Sequence, residues 1–185
     1  MSDENVTLST VVVRRAGPGD VGPIMSIERA CFPSPWPPGT ISGDLRHPQG
    51  ALYLMAEFAG KPAAYLGGWI YDVEFHLGSV ATDAAHRGQG LAEILVIAAL
   101  RYAVQIGLER AILEYRVSNQ AAAALYSKVG FQKQRIRKHY YADDLEDAVE
   151  AKLGDLQVPE TLALLEEKLE AWRAQRGHEL RLAEF

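Results

Sequence analysis

The sequence holds one cysteine, Cys31, in 185 residues. A lone cysteine excludes any intramolecular disulfide framework and any cysteine-cluster metal site. It suits a reducing compartment. Long hydrophobic runs are missing too. The longest apolar stretch, residues 94–100, falls far short of the roughly 20 residues that span a bilayer. Residues 1–10 (MSDENVTLST) are polar and acidic, without the basic and apolar regions of a signal peptide. Surplus positive charge is absent: 19 Lys and Arg face 24 Asp and Glu, a formal net charge of −5. That argues against strong nucleic-acid binding through bulk charge. The expected class is a soluble, cytoplasmic protein with no membrane partner.

Catalytic signatures of several kinds are also lacking. His47, His76, His86, His139 and His178 are scattered, with no HExxH or HxH pairing and no accompanying carboxylate cluster. No catalytic metal is expected. Neither a Ser-His-Asp nor a Cys-His arrangement stands out, and Cys31 reads as structural.

What is present is an ordinary globular composition, with 48% hydrophobic and 23% charged residues, which excludes a wholly disordered chain. Strands are expected at 11–15, 51–58, 62–71, 74–81, 111–117, 131–138 and 146–153. Asp20 reads as the N-cap of a first helix. Four prolines in residues 32–39 (FPSPWPPG) impose a loop, followed by a short helix over 40–46. Leu91, Leu95, Ala98, Tyr102 and Ile106 fall on one helical face. Ser118 or Asn119 opens a further helix that Gly130 closes. The order β-α-α-β-β-β-α-β-α-β-β implies a mixed sheet flanked by helices.

The tail differs. Val158, Leu162, Leu165, Leu169 and Trp172 make a heptad-like seam. It fits a helix packed on its own domain, or a homodimer contact, equally well.

Residues 86–92 read HRGQGLA, two glycines between a strand and a helix. Small residues let a backbone approach a ligand, and the free N–H groups of a first helical turn attract anions. The Walker pattern is absent, and the dinucleotide fingerprint lacks its third glycine. The glycines alone leave phosphate binding and a plain strand-to-helix turn both open.

Arg87-x-x-Gly90-x-Ala92 resembles the acyl-CoA pyrophosphate loop of the GNAT family of N-acetyltransferases. Residues 113–126 (LEYRVSNQAAAALY) and 127–131 (SKVGF) are similar to that family's downstream strand and helix. Residues 28–36 (ERACFPSPW) and 137–141 (RKHYY) resemble its ribosomal-protein-alanine N-acetyltransferase (RimI) branch. The likeness spans residues 12–153 and leaves out the helical tail. It divides the chain into a flexible start at 1–10, a GNAT domain at 11–153 and a C-terminal helical extension at 154–185. The fold implied is α/β (α+β), a mixed, mostly antiparallel sheet flanked by helices.

The resemblance also implies a reaction and its residues. The co-substrate is acetyl-CoA, and the acceptor is a protein α-amine, the N-terminal alanine of a small-subunit ribosomal protein. Direct attack on the thioester needs a base for the amine, an acid for the thiolate and donors for the oxyanion. From the residues alone, Glu114 reads as a neighbour of Arg116 on a polar strand face, and Tyr126 as a space-filling edge tyrosine. The resemblance makes Glu114 the base and Tyr126 the acid. It assigns the cofactor to Val80, Ala81, Thr82, Arg87, Gly88, Gln89, Gly90, Leu91, Ala92, Asn119 and Tyr126. Trp36, Tyr140 and Tyr141 line the acceptor groove, and Glu74 is a rival base. Thr82 and Tyr115 stand where the family usually has valine. Lys133, Arg135, Arg137 and Lys138 form a local basic run, read as a solvated strand face or a contact for RNA or phosphate. A small-amine acetyltransferase and a non-catalytic acyl-CoA-binding module are the alternatives. The second has no need of Glu114 and Tyr126 together.

Overall fold

The computed structural model describes residues 9–183. Of the expected flexible start, residues 1–8 lie outside the described residues, and Ser9 and Thr10 already belong to the first strand. In chain order the elements are β1 (Ser9–Arg15), α1 (Val21–Cys31), α2 (Pro38–Arg46), β2 (Ala51–Phe58), β3 (Lys61–Tyr71) and β4 (Glu74–Thr82). Then follow α3 (Leu91–Gln105), β5 (Arg110–Arg116), α4 (Gln120–Val129), β6 (Gln132–Arg137), β7 (Ala148–Leu153), α5 (Pro159–Gln175) and β8 (His178–Leu182). The expected elements are present with ends moved by a few residues. The final strand β8 is an addition: the segment after Gly154 holds a strand as well as a helix.

The eight strands form one sheet in the order β6-β7-β5-β4-β3-β2-β1-β8. Neighbours are antiparallel except β4 with β5 and β1 with β8. The β4–β5 pair is parallel because α3 carries the chain across between them. β8 occupies the edge beside β1, so the tail pairs with the first strand of the chain.

Side-chain alternation sorts the sheet into two faces. Leu52, Leu54 and Ala56 of β2 join α3 and α5 in the larger cluster. Ala51, Tyr53 and Met55 join Ile24, Ile27, Ile41 and Leu45 of α1 and α2 in the smaller one. Helix α3 departs from the single apolar face read in its sequence. Every residue from Ile94 to Leu100 is buried, because α5 covers the side that the sheet leaves free. Leu165, Leu169 and Trp172 supply that cover, while Val158 and Leu162 stay exposed. The seam therefore splits, and most of it packs on the chain's own core.

Asp20 does not act as the expected side-chain cap of α1. Both its carboxylate oxygens accept bonds from the Arg14 guanidinium at 2.8 Å. A bidentate charged pair is stronger than a neutral cap, so it takes the carboxylate.

One irregularity governs the rest of the sheet. Along β3 and β4, Gly68 pairs with Leu77 and Gly67 with Ser79, so Gly78 is an extra residue in β4. Such a bulge bends its strand and flips the side-chain alternation that follows. Phe75 and Leu77 face the α3 side before the bulge, whereas Ala81 faces the α1–α2 side after it. Glycine is required there because a Cβ would stand 2.3 Å from the Trp69 ring. Trp69 in turn packs edge-on against Trp36 at 5.3 Å and donates its indole N–H to Asp44.

Gly78→Ala should therefore displace Trp69 and destabilise the chain by about 1–3 kcal/mol, the usual cost of overpacking. Denaturant unfolding measures it, and an unchanged midpoint would contradict the tight contact.

Candidate active site

β4 and β5 hold together over a short distance only. Their pairing runs from Glu74 with Arg110 to Leu77 with Leu113 and ends there. Beyond it, β4 continues against β3 alone as far as Thr82, and β5 continues against β7 alone as far as Arg116. The bulge at Gly78 falls where the strands part, so the bend it puts into β4 opens the gap. Val80, Ala81 and Thr82 line one lip of this gap, and Glu114 begins the other.

Glu114 alternates with buried Leu113 and Tyr115, which places it on the opposite face of β5. Its side chain is only 6% exposed, yet both carboxylate oxygens are paired. Oε2 lies 2.7 Å from His76 Nε2, and Oε1 accepts from Arg137 Nη1 at 2.7 Å. Burial pushes the Glu114 carboxyl up, but His76 and Arg137 outweigh it and hold the group below its ordinary value. The hydrogen bond to Glu114 in turn lifts the His76 imidazole above its ordinary value, against burial. The Glu114–Arg116 neighbour pair allowed by the sequence does not form. Arg116 instead binds Asp143, Asp144 and Glu146.

His76 joins Glu114 although nothing in its spacing marked it. Register explains the meeting: His76 lies opposite Ile112, one diagonal step from Glu114 across the parallel pair. Which strands are neighbours is a tertiary fact, so only the alternation of β4 hinted at the face His76 would take. Glu74, the rival base, is held by Arg110 at 2.8 Å at the closed end of the same strand pair.

Tyr126 approaches from the other face. It projects from α4 into the larger cluster, with Tyr115 and Phe131 rings 5.6 and 5.8 Å away. Burial pushes its phenol well above the ordinary tyrosine value, so it keeps its proton throughout the neutral range. Among the described residues its hydroxyl has no hydrogen-bond acceptor, which leaves the donor free. Asn119 accepts from the Ala122 N–H at 3.0 Å and thereby caps α4.

The glycine turn follows β4. Gly88 and Gly90 take left-handed φ values of 76° and 78°, and Gly90 stands at the N-cap of α3 with no side-chain cap. The first-turn N–H groups of α3 thus lack a side-chain acceptor and suit an anion. Arg87 donates from Nε to the Thr82 carbonyl at 3.4 Å and reaches Cys31 Sγ at 3.7 Å. Cys31, distant in sequence, therefore sits against this turn, its thiol on the same Thr82 carbonyl at 3.4 Å. An uncapped helix start beside an open strand lip fits a phosphate-bearing arm lying along the gap.

The flanking aromatics gather near the same opening. Trp36 donates its indole N–H to Ser79 Oγ at 2.9 Å, which draws the proline loop over β4 just past the bulge. Tyr140 stacks over Arg137 at 4.5 Å and Tyr141 over Arg116 at 4.0 Å. The two rings meet edge-on at 5.2 Å. Arg137 thus links Tyr140 to Glu114. The rest of the basic run stays on an exposed strand face, where Arg135 pairs with Glu150 and Lys138 with Asp147.

Known proteins resemble this chain in sequence and in fold. Residues 22–131 match the Acetyltransferase (GNAT) family. A putative [ribosomal protein bS18]-alanine N-acetyltransferase of Bacillus subtilis is 37% identical over 130 residues, 70% of this chain and 86% of that protein. The [ribosomal protein bS18]-alanine N-acetyltransferase of Escherichia coli is 33% identical over 127 residues, 66% of this chain and 83% of that one. The crystal structure of the Escherichia coli ribosomal-protein-S18-alanine N-acetyltransferase superposes with a TM-score of 0.73 at 28% identity, covering 79% of this chain and 94% of that one. With a parted strand pair, a glycine turn opening a long helix, and a family match across most of that span, this chain is an N-acetyltransferase of the GNAT family.

Proposed function

We propose that this protein transfers an acetyl group from acetyl-CoA to the α-amine of a protein, the N-terminal alanine of a small-subunit ribosomal protein, in the cytoplasm. The observation that carries the reading is the gap between β4 and β5, with the His76–Glu114–Arg137 network on one face and Tyr126 on the other. The names of the relatives support the acceptor. Residues 11–153 form the catalytic unit in this reading, and the glycine turn, the β4 lip and Asn119 hold the acyl donor.

A peptide α-amine has an ordinary pKa near 8, so it arrives largely protonated at neutral pH. The Glu114 carboxylate, already paired with His76 and Arg137, is too weak a base to take that proton alone. Its charge raises the proton affinity of His76, and a raised imidazole is better matched to the amine. The pair acts together: Glu114 holds the charge and His76 takes the proton. Arg137 fixes the carboxylate and carries Tyr140 against the acceptor's path. Tyr126, kept protonated by burial, donates to the departing thiolate.

Glu114→Gln should lower the turnover rate by about a hundredfold or more, and Tyr126→Phe by about tenfold to a hundredfold. Mass spectrometry of peptides beginning with alanine, incubated with acetyl-CoA, reads both. Acetylation confined to lysine side chains would exclude the α-amine acceptor.

The pH profile tests the pairing. Neutral His76 is the active form, so kcat should fall as pH drops through its raised value. Without the Glu114 charge that value returns toward the ordinary one near 6.5. Glu114→Gln should therefore move the acidic limb of kcat to lower pH while lowering its plateau. A limb that stays in place would remove His76 from the proton path.

A further inference from the structure

The tail after β7 reaches back to the glycine turn. Helix α5 lies along α3 through buried Leu165, Leu169 and Trp172, and its C-terminal end arrives beneath the turn. There the Trp172 indole donates to the Gly90 carbonyl at 2.8 Å. Arg176 Nη1, just past the helix, donates to the Gly88 carbonyl at 2.7 Å, and its Nη2 lies 3.9 Å from Glu93. The two carbonyls bonded belong to the two left-handed glycines of the turn. A Cβ on Gly90 would stand 2.6 Å from Trp172 Nε1 and 2.9 Å from Arg176 Nε, so glycine is also what lets the tail come this close. A third link lies beside these: the Phe58 ring contacts His86, which leads into the turn, and His178, which opens β8. The pairing of β8 with β1 then anchors the chain on the far side of Arg176.

We propose that the C-terminal helix and strand form a clasp that holds the glycine turn in its anion-binding shape, with Trp172 and Arg176 as positioning residues for the donor's pyrophosphate. The inference rests on the acetyl-CoA reading above. Glycine-rich turns lose more conformational freedom on ordering than any other segment, so a turn ordered in advance binds more tightly. Donors on these carbonyls, of which that of Gly90 also accepts from the Ile94 N–H at 3.0 Å, do this without occupying the N–H groups meant for the ligand. A carbonyl that accepts a bond also polarises its peptide, and a guanidinium behind the turn adds positive charge. The family match ends at residue 131, so both residues lie outside the matched segment.

The test uses the full chain and three variants: Arg176→Ala, Arg176→Lys and Trp172→Phe. Two donors are compared, acetyl-CoA and S-acetylpantetheine, which carries the thioester but no pyrophosphate. Arg176→Ala should raise the KM for acetyl-CoA about tenfold, as expected when a charged hydrogen bond that orders the turn is lost. Its kcat should move less than about twofold, and kcat/KM with S-acetylpantetheine should match the parent. Arg176→Lys, which keeps one charged donor, should recover most of the loss. Trp172→Phe keeps most of the ring volume and should show the same donor-specific change. Circular dichroism of each variant establishes that it is folded. Failure of the parent to bind or use acetyl-CoA would remove the functional reading itself. A parent that uses acetyl-CoA, with variants whose KM is unchanged, would overturn the clasp alone. An equal loss with both donors would overturn it too, since that marks a general structural effect.

Discussion

The parting of β4 from β5 is the feature on which the rest of the structure depends. It follows from one extra residue, Gly78, and from the indole of Trp69 that fills the space a side chain would need. Up to Leu77 the parallel pair is closed, and it locks His76 beside β5. Beyond that point each strand keeps only its outer partner. The same bend turns Ser79 toward Trp36 and so brings the proline loop over the opening. Backbone geometry, rather than a special side chain, creates the site.

Electrostatics then divides the labour around the gap. Glu114 is nearly buried, and a buried carboxylate is costly unless paired. His76 and Arg137 satisfy it from two strands, which keeps it ionised and raises the imidazole in return. Tyr126 lies on the other face among aromatic rings, where burial is not countered by a cationic partner and preserves its proton. One environment stabilises a charge and the other suppresses one. That contrast sets an ionised carboxylate and a protonated phenol on opposite faces of the sheet.

The tail gives the chain a second layer. By covering the outer side of α3, it turns an ordinary amphipathic helix into a central one buried from Ile94 to Leu100. Its end then supports the glycine turn from behind through Trp172 and Arg176. Core packing and contact with the turn are thus joined in one element.

Much of this was legible in the sequence, for physical reasons. Periodicity and turn residues located the strands and helices, since they report backbone geometry directly. The HRGQGLA segment announced a glycine turn before a helix, and the alternation of AILEYRV put Glu114 on the face away from Leu113. Asn119 capped its helix because that signal is local. What escaped were relations between distant segments. His76 became a partner of Glu114 only through the register of two parallel strands, and Asp20 left its helix for Arg14. Arg116 found three carboxylates on a later loop, and β8 found an edge beside β1. The sequence by itself determined the elements, the glycine turn and the chemical types available. The tertiary structure decided which charges meet, where the sheet opens and what supports the turn. Those outcomes turn on pairing and packing between residues far apart in the chain, and local patterns do not encode them.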